Sequence, residues 1–329
     1  MADDDDKKAE RLRRARELAA SRGIGAPAAP PAPTPVPPPA ARPEPARGDG
    51  QAPPRPAGLL EIIANLFKPK PAAHAAPVQT APGVEGPAFT VVVAALGGDA
   101  DGAAATYLNQ ALAARPALKV KALGKVFQLD NLEDPSLVSS VVLNTRHAVA
   151  EEDADLLVWG DFAKEGYRLR LATATTDDER AAAFGPATRI ELPREFAEPA
   201  NNLLHAAILA AIDPASEAQK SALRRQLPAA ATAAEALAAR PPVQMSMPQQ
   251  RSVQLVFGHV ATAAALVAPA EEAPAWFDKA INAYRQAQRR LSRTDAGWEG
   301  GLIHKHIAAA LVAKAERTKE GAAPLWEEA

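Results

Sequence analysis

The chain has 329 residues, enough for two or three domains, and its 37 Lys and Arg residues nearly balance 39 Asp and Glu residues. A formal net charge of −2 provides no basic footprint, so we expect no nucleic-acid partner. The chain has no cysteine, which excludes disulfides and thiolate-bound metals. No segment has the apolar length of a secretory signal or a membrane-spanning helix, so the sequence predicts a cytoplasmic protein.

The N-terminal part predicts a charged helix followed by a linker. Residues 1–22 place aspartates before arginines, the order that a helix dipole favours, and predict a short helix over 6–22. Residues 23–87 are rich in Pro and Ala, with 13 prolines in 23–58 alone. Such a composition buries too little apolar surface to offset the entropy of ordering, so we expect a disordered linker.

One apolar helix is predicted inside this linker, over residues 58–67. The segment GLLEIIANLF places large apolar residues on one helical face, and Lys68 and Lys70 follow it. Its candidate contact residues are Leu59, Leu60, Ile62, Ile63, Leu66 and Phe67. The helix either docks on the folded part of the chain or contacts a partner protein or a membrane surface.

Residues 88–193 predict an α/β domain with a mixed sheet and the order β-α-β-α-β-β-β. The apolar run Phe89–Leu96 is typical of a strand buried on both faces. Asp134 followed by Pro135 predicts a capped helix start, and Gly166 marks a hairpin turn between the third and fourth strands. The expected strands are 89–96, 118–122, 154–162, 167–174 and 188–192, and the expected helices are 101–114 and about 135–149.

The chain from about residue 196 onward predicts helices only. Residues 194–245 are expected to be connecting helices, one running from Asp213-Pro214 to about Leu227 and the next ending at Pro241-Pro242. Two further helices are expected over 250–268 and 274–291.

An internal repeat appears in the last part, residues 246–329. The segment WFDKA at 276–280 recurs as LWEEA at 325–329, a spacing of 49 residues. With the preceding helices, this pattern resembles tetratricopeptide repeats, whose usual period is about 34 residues. The resemblance implies helix pairs packed through Phe257, Gly258, Trp276, Ala280, Tyr284 and Trp326. Since the sequence stops inside the second unit, we expect the natural protein to continue beyond Ala329.

The α/β domain also resembles a known family. The strand FTVVVAAL, the Asp101-Gly102 pair before a helix, and the segments LKVKALGKVF, LLVWGDF and YRLRLAT resemble the TolB-like N-terminal domain found ahead of tetratricopeptide arrays in bacterial proteins. The resemblance covers about residues 88–193. It implies an interaction or sensing module without catalysis and without an assigned substrate.

A competing interpretation concerns Asp99-Ala100-Asp101-Gly102, which resembles the DxDG signature of haloacid-dehalogenase-type phosphatases. That resemblance implies Asp99 as nucleophile, Asp101 as acid/base and a bridging Mg²⁺. The pattern departs from the family because two glycines separate the acids from the strand and Ala103 replaces Thr or Ser. A tight turn with Asp side chains satisfying free helix N–H groups also explains these residues.

Other catalytic or metal-binding patterns are not found in the sequence. The six histidines are scattered and predict no cluster, and His304 and His306 are expected to make ordinary polar contacts. We therefore expect no catalytic, cofactor or metal residues and no small-molecule substrate. The predicted function is a non-enzymatic protein scaffold that binds a partner through the helical repeats and the tethered helix. The alternatives are a membrane-peripheral protein anchored through residues 58–70 and the Mg²⁺-dependent phosphatase.

Overall fold

A computed structural model describes residues 88–174, 184–318 and 322–328. The predicted helix over 6–22, the linker and the apolar helix over 58–67 lie outside these residues. The strands are β1 (Phe89–Ala95), β2 (Leu118–Val126), β3 (Leu156–Ala163), β4 (Gly166–Ala172) and β5 (Ile190–Leu192). The helices are α1 (Ala103–Ala113), α2 (Pro135–Glu151), α3 (Glu198–Ala211), α4 (Glu217–Ala239), α5 (Met247–Val267), α6 (Ala273–Gln288), α7 (Gly297–Arg317) and α8 (Ala322–Glu328).

The five strands form one mixed sheet in the order β2-β1-β3-β4-β5. Strand β1 pairs in parallel with both β2 and β3, whereas β3, β4 and β5 pair antiparallel. The predicted order β-α-β-α-β-β-β and the helical part that follows are therefore confirmed. The β3–β4 hairpin closes at the Ala163–Gly166 pair, where the sequence predicted a turn.

Helices cover both faces of the sheet because β1 and β3 are apolar on both sides. Side chains of α1 and α3 pack with Val91, Val93 and Val158 on one face, whereas α2 packs with Val92 and Trp159 on the other. The start of α2 is capped as predicted. The Asp134 carboxylate accepts hydrogen bonds from the Ser136 and Leu137 amides at 2.9 and 3.2 Å.

The later helices continue the core of the sheet. Helix α5 packs against both α3 and β5, and one apolar cluster runs from the sheet into α7. Ser252 on α5 joins the two parts, since its hydroxyl accepts from the Glu191 amide at 2.8 Å and donates to the Arg189 carbonyl at 2.9 Å. These bonds satisfy backbone groups of β5 and of the residue before it, on the edge of the sheet that pairs with no further strand among the described residues.

The prediction of two helices between residues 214 and 240 is wrong, because α4 runs unbroken from Glu217 to Ala239. Ser216, not Asp213, caps it, with the Ser216 hydroxyl accepting from the Gln219 amide at 3.2 Å. Pro228 lies inside the helix and removes one amide donor, which would normally bond the carbonyl of Arg224. Packing of α4 against α3 and α5 holds the helix together across that gap.

Candidate functional site

The loop after β1 places Asp99 over the start of α1. Its two carboxylate oxygens accept hydrogen bonds from the Ala104 and Ala105 amides at 3.1 and 2.9 Å. Asp101 accepts from the Ala103 amide at 3.2 Å. Both acids therefore bind free amides of the first helical turn, as the turn-and-cap interpretation expects. These bonds occupy both oxygens of the carboxylate that the phosphatase hypothesis assigns as the nucleophile.

The neighbouring ends of β1 and β3 lie where open α/β sheets commonly bind ligands. Here the pairing continues past β1: the Gly97 amide donates to the Gly160 carbonyl at 2.9 Å, and the Gly97 carbonyl accepts from the Phe162 amide at 2.7 Å. The Asp161 carboxylate lies 2.5 Å from where a Cβ on Gly97 would be. Burial raises the pKa of Asp161, and Asp130 adds to that effect. The end of the sheet is thus closed by its own residues.

A cluster of polar aromatic side chains lies in the core between α5, α6 and α7. The Tyr284 hydroxyl lies 3.3 Å from His259 Nδ1 and 3.4 Å from the Thr262 hydroxyl. The rings of His259 and His306 are 4.2 Å apart, centre to centre. The sequence-based prediction that the histidines do not cluster is therefore wrong, because helix packing brings together two residues that are 47 positions apart.

This cluster is fully enclosed and chemically neutral. His259 is 0% exposed, Tyr284 1% and His306 4%. Burial lowers the pKa of His306 to about 4 and holds the pKa of His259 well below its ordinary value. Burial also raises the pKa of Tyr284. Within residues 88–174, 184–318 and 322–328, no three His, Cys, Asp or Glu side chains converge on a metal site.

Helices α4, α5 and α6 form a groove of about 300 Å³. We call it the α4–α6 groove. Helix α6 supplies half of its polar groups because residues 279, 282 and 286 lie on one helical face, and Arg290 follows in the turn after the helix. Its lining residues are Glu235, Ala238, Ala239, Gln254, Phe257, Lys279, Asn282, Ala283, Gln286 and Arg290.

One end of the groove is closed by an ion pair. Lys279 Nζ lies 2.7 Å from a Glu235 carboxylate oxygen and 4.5 Å above the Trp276 ring. The floor is fixed by Gln254, whose side-chain amide donates to the Ala238 carbonyl at 2.5 Å. The groove is therefore bounded by three helices whose side chains are already held by other contacts.

A second group of charged side chains connects α5 and α7 to the edge of the sheet at β5. The guanidinium of Arg251, which is 7% exposed, donates to Asp295 and Glu299 at 2.5 Å each. Arg189 beside β5 donates to the other oxygen of Glu299 at 3.0 Å. A small cavity of about 30 Å³ next to this network has room for little more than a water molecule.

The residues predicted to pack the repeat lie mostly in the helical core. Phe257, Trp276, Ala280 and Tyr284 are buried, and the ring of Tyr284 lies directly against Gly258, where a Cβ would clash with it. Trp326 belongs to α8, but its side chain is outside the described part of the chain. The candidate contact residues Leu59 to Phe67 are also outside it.

The polar groove residues were not predicted from the sequence: Glu235, Lys279, Asn282, Gln286 and Arg290. Their only signal was the spacing of three or four positions along α6, which an ordinary solvent-exposed helix face shares.

Comparisons with known proteins gave no match: no family model, no curated protein and no solved structure is similar to this chain. Among the helices that the structure describes, none is long and apolar enough to cross a membrane.

Proposed function

We propose that the chain is a non-enzymatic scaffold that binds a segment of another protein in the α4–α6 groove. The observation that carries the proposal is the groove itself, about 300 Å³ in volume and lined by polar side chains from three helices. A volume of this size falls in the range of ligand-binding clefts. Several of its lining residues follow one another along α6, so the proposed ligand is an extended chain that lies beside this helix.

The helices fit this role if they form the start of a tetratricopeptide-like array. Helices α5 to α8 each pack against the next along the chain, and α5 with α6 and α7 with α8 correspond to the two units of the 49-residue repeat. The contact between Gly258 and the Tyr284 ring supplies the close approach of small and aromatic residues that such helix pairs use. The period is longer than usual because α5 and α7 each have 21 residues.

The remaining parts of the chain extend the same role. The sequence resemblance of residues 88–193 to the TolB-like module implies interaction or sensing and not catalysis. In this proposal the apolar segment 58–67 provides a second contact with the partner. Residues 68–87 separate this segment from β1 in the sequence.

The groove can be tested with two matched variants of α4. Ala239 lines the groove and Ala233 does not, although both are exposed alanines on one helix. The full chain is used to select peptides from a random display library, and the affinity of the selected peptides is then measured by fluorescence anisotropy. We expect Ala239→Trp to weaken binding about tenfold or more, because the indole fills the groove, and Ala233→Trp to leave binding unchanged.

Two outcomes would contradict the proposal. Equal binding by both variants would place the peptide site elsewhere, and failure to select any peptide would leave the groove without the predicted ligand. Circular dichroism melts of both variants confirm that neither substitution unfolds the chain.

A further inference from the structure

The groove has an unneutralised cation at one end. Arg290 follows the last turn of α6, and its Nη1 donates to the Gln286 carbonyl at 2.9 Å and to the Gln286 side-chain oxygen at 3.3 Å. Its Nε and Nη2 hydrogens have no protein acceptor, and its guanidinium forms no ion pair, within the described ranges. Gln286 therefore holds the guanidinium in place and leaves its charge unpaired.

The acids on the same side of the groove are already engaged. Arg251, which donates to the Arg290 carbonyl at 3.4 Å, also binds Asp295 and Glu299. At the other end, Glu235 neutralises Lys279. The groove is thus close to neutral at the Lys279 end and positively charged at the Arg290 end.

We propose, on the basis of the protein-binding function proposed above, that the groove selects an extended segment that places a carboxylate against Arg290. A guanidinium with free Nε and Nη2 hydrogens presents two parallel donors, which match the two oxygens of a carboxylate. Asn282 and Gln286 provide amide groups that can pair with the main chain of the segment.

The length of the groove sets the length of the segment. Lys279 and Arg290 are eleven positions apart, nine of them along α6 and two in the turn that follows it, which corresponds to about 16 Å at about 1.5 Å per residue. An extended chain advances about 3.3 Å per residue, so about five residues span the groove. The segment therefore has a carboxylate at one end and no strong charge requirement at the other.

The test uses display libraries with five randomised positions, selected on the full chain. One library has a fixed flanking sequence after the randomised positions, and the other ends in a free carboxylate. We expect peptides from the first library to be enriched in Asp or Glu at one position. If the second library yields binding peptides that have no acidic side chain, the carboxylate that binds Arg290 is the one at the peptide terminus. This result would also support the proposal.

Three variants identify the partner of that carboxylate. We expect Arg290→Gln to weaken binding of the selected peptide about tenfold, and a peptide with Gln in place of its acid to bind the native chain about tenfold more weakly. Arg289→Gln removes the same charge from the adjacent exposed position, which does not line the groove, and is expected to change binding less than about twofold. The acid-to-Gln change in the peptide should have no further effect on Arg290→Gln, since the two groups interact with each other.

The two levels of the proposal fail differently. The carboxylate proposal is overturned if the selected peptides carry no carboxylate, or if they bind Arg290→Gln as tightly as the native chain. The groove remains the protein-binding site in either case, provided that Ala239→Trp weakens binding of the same peptides. If Arg289→Gln weakens binding as much as Arg290→Gln, the effect is long-range electrostatics and the proposal is also overturned. Peptide binding that is insensitive to Ala239→Trp overturns both levels.

Discussion

The sheet and the helices of this chain bury different kinds of side chain. The interior strand β1 buries Val91, Val92, Val93 and Ala94, and its interior polar groups belong to the backbone and pair within the sheet. The interior of α5–α7 instead combines alanines and Gly258 with a buried imidazole and phenol cluster. Small residues let helices approach closely, and the polar rings fill the remaining space. We therefore expect acid to destabilise the chain through its helices, and added side-chain volume close to the backbone to destabilise the sheet.

Acidification should have the largest effect, and it should act through the helices and not the strands, because every histidine among the described residues lies on a helix. His205 on α3 and His306 on α7 are buried, and burial lowers the pKa of each from 6.5 to about 4. As the pH falls, these histidines take up protons at a higher pH in the unfolded chain than in the folded chain. The free energy of unfolding is therefore highest above about pH 6.5 and decreases as the pH drops toward about 4. The loss is about 3 kcal/mol for each histidine. Urea unfolding followed by circular dichroism at about pH 7 and about pH 4 measures it.

The control for the acid effect is the double variant His205→Leu, His306→Leu. It should lose about 6 kcal/mol less than the native chain between the same two pH values. An unchanged pH dependence in this variant would assign acid sensitivity to carboxylates and would remove this difference between the regions.

Gly160 in β3 should be the position in the sheet that is most sensitive to added volume. Its φ is +142°, and a Cβ there would collide with the backbone carbonyl of Arg168 on the paired strand. Because a backbone atom cannot move without breaking the β3–β4 pairing, we expect Gly160→Ala to cost more than about 3 kcal/mol of unfolding free energy. Urea unfolding measures the loss, and a cost below about 1 kcal/mol would show that the hairpin can adjust.

Gly258 in α5 should be sensitive to added volume for a different reason. A Cβ there would meet the ring of Tyr284, so we expect Gly258→Ala to cost about 2 to 3 kcal/mol. The obstacle is a side chain, so a smaller residue should relieve it: Gly258→Ala combined with Tyr284→Leu should be less destabilised than the sum of the two single changes. Gly301→Ala in α7, where a Cβ meets no atom within 4 Å, is the matched control and should be neutral or slightly stabilising. Strict additivity in the double variant would contradict the predicted contact.

Asp99 should show the smallest effect. If it stabilises the start of α1, Asp99→Ala should cost about 1 kcal/mol of unfolding free energy. The phosphatase hypothesis predicts a different result, namely Mg²⁺-dependent hydrolysis of p-nitrophenyl phosphate that Asp99→Asn abolishes. Hydrolysis by the native chain that is lost in Asp99→Asn would overturn the non-enzymatic proposal.

Several elements could be predicted from the sequence because their signals are local. The apolar run of β1, the Asp134-Pro135 start of α2 and the turn before Gly166 each lie within a few residues, and the structure confirms all three. The break predicted near Leu227 was wrong because Pro228 is a local signal for a helix end, whereas contacts of α4 with α3 and α5 are not local.

The α4–α6 groove depends almost wholly on contacts between distant residues. Glu235 and Lys279 are 44 positions apart and meet only when α4 and α6 pack on α5. His259 and His306 meet only through the packing of α5 against α6 and α7.

The sequence by itself determined the order of the strands and helices along the chain, because hydrophobic period, caps and turn residues act over a few positions. The tertiary structure decided which face of α6 remains open, that Arg290 has no acidic partner among the described residues, and which histidines are buried. Those outcomes depend on which side chains neighbouring helices cover, and the covering residues lie tens of positions away in the chain.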